Sequence, residues 1–96
     1  MEISSYGEIY DVKVERKYYE NNHNLALRLI DKSDGSVFAV LTKNLDRRLP
    51  LDQAYVDTNN CPWAVDFIAK NKLGVPMGEY RRSGYCAYPL YRFFLR

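Results

Sequence analysis

A chain of 96 residues, 47% hydrophobic and 27% charged, is long enough for one small domain over residues 1–96 and too apolar to stay wholly disordered. It has no run of about 18 apolar residues to cross a membrane, and Met1-Glu2-Ile3-Ser4-Ser5 lacks the basic start and apolar stretch of a secretory signal. Two cysteines are too few for a stapled secreted scaffold, which places the expectation in a reducing cytosol, and a net charge of +2 is a small excess for a dedicated nucleic-acid module.

In chain order, Tyr10, Val12 and Val14 alternate with Asp11, Lys13 and Glu15, the pattern of a half-buried strand. Glu20-Asn21-Asn22-His23-Asn24 is polar and ends it. Leu25, Leu27 and Leu29 then define a second strand with one strongly apolar face. Asp34-Gly35 supplies a hairpin turn, and the β-branched and aromatic stretch Val37–Thr42 reads as the returning strand, completing an antiparallel meander. Asn44–Asp52 reads as a loop and Ala54–Asp57 as a short strand.

Asp57-Thr58-Asn59-Asn60-Cys61-Pro62-Trp63 has the chemistry of a helix start, with Asn59 or Asn60 as the cap and Pro62 in the first turn. The helix is expected over Pro62–Lys72, ended by Leu73-Gly74, with Trp63, Ala64, Phe67 and Ile68 on its apolar side and Asp66–Lys70 as a solvent-facing i,i+4 pair. Trp63 is assigned to folding. Val75–Gly84, with its glycines and arginines, reads as a loop. Tyr85–Leu95 reads as a final strand, and Pro89 within it argues for a sheet edge. The fold class that follows is α+β: an antiparallel sheet of four to five strands with one helix packed across a face.

No catalytic set stands out. His23 reads as a turn residue. Cys61 and Cys86 lack a metal-ligand spacing and are expected as free thiols, and a Cys61 nucleophile would need His23 as its base. Gly74, Gly78 and Gly84 do not form a phosphate loop, and Asp57–Asn60 reads as a capping corner in preference to an anion site. The expectation is a non-enzyme without cofactor or metal.

What is unusual is tyrosine, nine in all, and charge asymmetry. After Glu79, the last acid, come Arg81, Arg82, Arg92 and Arg96, so ten basic residues face twelve acidic ones before that point. Tyrosine and arginine are the residue types that concentrate interface energy. The candidate partner-binding residues are therefore Tyr80, Arg81, Arg82, Tyr85, Tyr88, Tyr91 and Arg92. The sheet edge expected around Pro89 could also serve a dimer.

Three segments carry a family resemblance: Tyr55-Val56-Asp57-Thr58-Asn59-Asn60-Cys61-Pro62-Trp63, Asn71-Lys72-Leu73-Gly74-Val75-Pro76-Met77-Gly78, and Ser83-Gly84-Tyr85-Cys86-Ala87-Tyr88-Pro89-Leu90-Tyr91. Over roughly the C-terminal half, the chain resembles a family of small proteins of unknown function carried on conjugative elements and phages of Gram-positive bacteria. The resemblance implies an accessory gene of a mobile element. By analogy with small counter-defence proteins in such settings, it implies a protein-binding inhibitor of anti-CRISPR type, docking on an RNA-guided nuclease and hindering guide-RNA loading or DNA engagement. The alternative is a small single-stranded nucleic-acid-binding module, since aromatic rings flanked by arginines on a sheet can stack bases.

Overall fold

The computed structural model describes residues 1–94; Leu95, the expected end of the last strand, and Arg96 of the basic tail lie outside the described residues. The fold is built from two antiparallel sheets of four strands each. The first has the order β1 (Glu2–Ser5), β2 (Glu8–Tyr18), β3 (Leu25–Asp31), β4 (Val37–Val40). The second has the order β5 (Thr42–Lys43), β6 (Gln53–Val56), β8 (Cys86–Phe93), β7 (Gly74–Ser83), with one helix, α1 (Ala64–Lys70), between β6 and β7.

This corrects the α+β expectation: strand makes up 53% and helix 7% of the described residues, so α1 is a two-turn plug in a β structure and not a layer across a sheet. Its apolar residues Ala64, Phe67 and Ile68 join one core with Leu25, Leu27 and Leu29 of β3, Val56 of β6, and Tyr91 and Phe93 of β8. The core therefore lies between the sheets, with the helix filling it from one side.

The first sheet follows the expected meander, extended by one strand. β1 pairs with β2 through the two-residue turn Tyr6-Gly7, where both residues have positive φ (51° and 79°), the backbone of a type I′ hairpin. Gly35 has φ 77° in the β3–β4 turn, as the Asp34-Gly35 signal requires. On the outer face of this sheet the Arg28 guanidinium donates to the Glu15 carboxylate across the β2–β3 pair and holds its pKa below the ordinary carboxylate value.

The run Val37–Thr42 does not stay in one sheet. At Leu41 the chain leaves β4 and enters β5; the Leu41 N–H donates to the Leu27 carbonyl of the first sheet at 2.9 Å, and its carbonyl accepts from the Asp57 N–H at 2.8 Å.

The β6–β8 part of the second sheet is buried on both faces. One face contributes Ala54, Val56, Tyr91 and Phe93 to the main core; the other carries Tyr55, Tyr88 and Leu90, covered by Leu45 and Leu49 from the β5–β6 loop. Asn24, 3% exposed in the β2–β3 turn, clamps that loop. Its Oδ1 accepts the Leu49 N–H at 2.8 Å, while its Nδ2 donates to the Arg47 carbonyl at 2.7 Å and to Asn44 Oδ1 at 3.3 Å.

Five local expectations are overturned here. The stretch read as a loop over Val75–Gly84 is mostly β7, because pairing with β8 supplies the order that Gly74, Pro76 and Gly78 withhold locally. β8 is an inner strand, not an edge, and Pro89 is tolerated one residue past the last β6–β8 pair, Tyr55↔Leu90, where no second neighbour asks for its N–H. The helix start has no side-chain cap: Trp63 is the N-cap residue. Asn60 donates to Asp57 (N–H to Oδ1 at 3.2 Å, Nδ2 to Oδ2 at 2.9 Å), the reverse of the capping expected of it. Among the described residues, Asp66 and Lys70 form no ion pair. Gly74 is needed for a different reason from helix termination: a Cβ there would sit 2.5 Å from the Arg92 carbonyl oxygen of β8.

Candidate functional site

The seven tyrosines and arginines singled out in the sequence divide by burial and by sheet face. Tyr88 and Tyr91 are each 5% exposed and belong to the two core clusters, so they withdraw from any contact surface. The strand Cys86–Phe93 is nearly continuous in apolar residues, which is the mark of a strand covered on both faces. Burial pushes the Tyr91 hydroxyl's pKa up, as expected of a phenol removed from water.

The five others are exposed, and they do not share one surface. Register decides the faces, since directly opposed residues in an antiparallel pair lie on the same side. Arg82 opposes Ala87 and Tyr80 opposes Pro89, on the face that continues into Tyr91 and Phe93. Arg81 opposes Tyr88 and lies on the other face. Arg92 opposes Val75 near the far end of the strand, roughly 20 Å from the turn at the strand rise per residue, with its guanidinium 5.9 Å from the Phe94 ring centroid.

What remains together is the tip of the β7–β8 ribbon: Tyr80, Arg82 and Tyr85, with Arg81 on the reverse side. Beyond the last β6 pairing, β7 and β8 run on as a two-stranded ribbon closed by Gly84-Tyr85, a two-residue turn between Ser83 and Cys86. Gly84 has φ 61° and Tyr85 does not, the pattern of a type II′ hairpin with glycine first. That turn holds the Tyr85 ring fully in solvent. Every residue of β7 from Val75 to Ser83 is exposed. Among the described residues no carboxylate pairs with Arg81 or Arg82.

The base of the ribbon is fixed by residues of the Asn44–Asp52 loop and of the irregular part of β7. Between Pro76↔Tyr91 and Tyr80↔Pro89 the β7 strand carries two more residues than β8, a bulge formed by Met77-Gly78-Glu79 with Gly78 at φ 76°. Glu79 accepts a hydrogen bond from the Arg47 guanidinium at 2.9 Å, and the same Arg47 Nη1 donates to the buried Tyr55 hydroxyl at 3.1 Å. These partners raise the pKa of Arg47 further. Leu45 and Leu49, large apolar residues in an otherwise charged loop, are the sequence signal that it packs against a core.

The remaining candidates for chemistry are placed as follows. Cys61 is buried, its thiol donates to the Val40 carbonyl at 3.4 Å, and burial together with nearby Asp57 pushes its pKa up, away from a reactive thiolate. Cys86 is half-buried, and both cysteines are free thiols. His23 sits exposed in the β2–β3 turn with φ 61°. Among the described residues no three His, Cys, Asp or Glu side chains are grouped to hold a metal ion, and no helix is long and apolar enough to cross a membrane.

Neither a curated protein nor a solved structure matches the chain. A family model matches residues 13–96, leaving only β1 and the first part of β2 outside it. The chain accordingly belongs to the DUF4313 family, a domain of unknown function.

Proposed function

We propose that this protein is a non-catalytic binding module whose contact surface is the tip of the β7–β8 ribbon. The observation that carries the reading is the exposure of β7 along Val75–Ser83 combined with a fully exposed Tyr85 and two arginines, Arg81 and Arg82, that have no carboxylate partner among the described residues. A ring held in water by a tight turn makes no contribution to the core, and tyrosine and arginine at the centre of an interface are the residue types whose truncation costs most. A protein partner is favoured because these groups occupy both faces of a narrow ribbon and suit insertion into a cleft. The narrower form of the proposal, an inhibitor carried by a mobile element and directed at an RNA-guided host nuclease, rests on the family resemblance and on analogy.

The test pairs the purified chain with RNA-guided nucleases, added before or after guide RNA, and reads DNA cleavage. Wild-type protein should inhibit in at least one order of addition, and Tyr85→Ala with Arg82→Glu should relieve it without lowering the melting temperature. Labelled single-stranded DNA and RNA form the control. Micromolar binding with a steep salt dependence, lost in the same variant, would replace the protein-partner reading with the nucleic-acid one.

A further inference from the structure

A second site lies between the edge strand β1 and α1. A cavity of about 180 Å³ opens there. Its helical wall is a single stripe, Trp63, Asp66, Phe67 and Lys70, at spacings of three and four that put all four side chains on one side of the helix. Its other wall is β1, with Glu2 and Ile3. The floor is aromatic: Trp63 is half-buried, stacked edge-on against Phe38 (6.2 Å between centroids) and Phe67 (5.9 Å). This pair of contacts fixes the indole while leaving part of it open to the slot. Two carboxylates, Glu2 and Asp66, stand against one ammonium, Lys70, and no ion pair among the described residues consumes any of them.

We propose that this slot binds an organic cation, an ammonium or guanidinium head seated on the Trp63 ring and facing the Glu2 and Asp66 carboxylates. An aromatic face attracts a cation through its quadrupole, and the surplus carboxylate sets the sign of the preferred ligand. The volume is below the roughly 300 Å³ at which drug-sized ligand pockets begin, so the occupant is a single side chain or a small amine. The head group can come from a lysine or arginine of a partner, for which the unpaired edge of β1 offers main-chain groups to an extended segment, or from a free amine. This site is independent of the ribbon and stands or falls without it.

Trp63 is the only tryptophan in the chain, so its emission reads the slot directly. The probes are choline and its uncharged isostere 3,3-dimethylbutanol, agmatine, and arginine blocked at both main-chain ends. Choline, agmatine or blocked arginine should give a saturable change in emission at millimolar concentration, and the uncharged isostere a markedly weaker one. Asp66→Asn or Glu2→Gln should weaken binding by roughly threefold to fivefold, the effect of one exposed charge, and Lys70→Met should strengthen it by a similar factor. All three positions are exposed, and a far-ultraviolet spectrum with a thermal melt verifies that the variants fold. Blocked arginine binding as well as agmatine assigns the site to a partner's side chain; agmatine alone assigns it to a free amine; both uphold the proposal. Equal binding of the uncharged isostere, weaker binding by Lys70→Met, or no saturable change with any cation overturns it.

Discussion

Replacing Asn24 by alanine should destabilise the fold by about 3 kcal/mol, far more than a turn residue in a polar stretch would suggest. The magnitude follows from what the side chain holds. Two short bonds, from the Leu49 N–H at 2.8 Å and to the Arg47 carbonyl at 2.7 Å, are each worth about 1 kcal/mol net. Leu49 is buried, so its N–H would be left without a partner and away from water, adding roughly another 1 kcal/mol. The longer bond to Asn44 Oδ1, at 3.3 Å, adds little. Urea unfolding followed by circular dichroism measures this. With an m-value of about 1–1.5 kcal/mol/M, the midpoint should fall by roughly 2–3 M at unchanged slope. Asn24→Asp keeps the acceptor for Leu49 and loses the donor, setting a carboxylate against the Arg47 carbonyl, and should be no better than alanine. A loss under about 1 kcal/mol for Asn24→Ala would refute the reasoning, since the loop would then be held by Leu45 and Leu49 packing alone.

Gly74→Ala should be among the most damaging single-methyl changes, costing several kcal/mol in the same unfolding assay, because the new Cβ meets main chain and not a flexible side chain. Trp63→Ala should cost about 2 kcal/mol and Phe67→Ala about 3–5, since the tryptophan is only half-buried and the phenylalanine lies in the core; thermal melts of the two variants give the order. Arg28 holds the Glu15 carboxyl below its ordinary pKa of 4.5, so the pair's contribution is present above about pH 4.5 and is lost as pH falls through the lowered folded-state value. Arg28→Met should flatten that acid limb of a stability-against-pH curve.

The elements legible in the sequence were those whose cause is local. The alternation in Tyr10–Val14, the Leu25-Leu27-Leu29 run, the Asp34-Gly35 turn and the helix after Pro62 are each written within one turn or one strand, and the structure has them in place. The rest depends on partners distant in sequence. Gly74, Pro76 and Gly78 spell a loop unless β8 is known to pair there, and β1 carries no alternation, its hairpin resting on Tyr6 accepting φ 51°, a conformation few tyrosines adopt. The place of the helix between two sheets was not legible, because nothing in Val37–Thr42 announces that the chain changes sheets. The candidate surface was legible in residue type and not in orientation: Tyr80 and Arg82 are exposed on one face of the ribbon with Tyr85 in its turn, whereas Tyr88 and Tyr91 of the same apparent cluster are core.

The passage of the chain through Leu41 bears on how the molecule comes apart. Its N–H is bonded into one sheet and its carbonyl into the other, so neither sheet can open at that corner without displacing a peptide that its neighbour also holds. A two-sheet protein joined by a free linker would lose its halves at separate free energies. Here the halves are coupled through one peptide and the shared core, and native-state hydrogen exchange should find a single slowest-exchanging group that includes amides of both β3 and β8. The protruding ribbon tip is outside that group. Its amides should exchange by local fraying, so that Tyr85 can adjust to whatever it meets while the sheets beneath it stay closed.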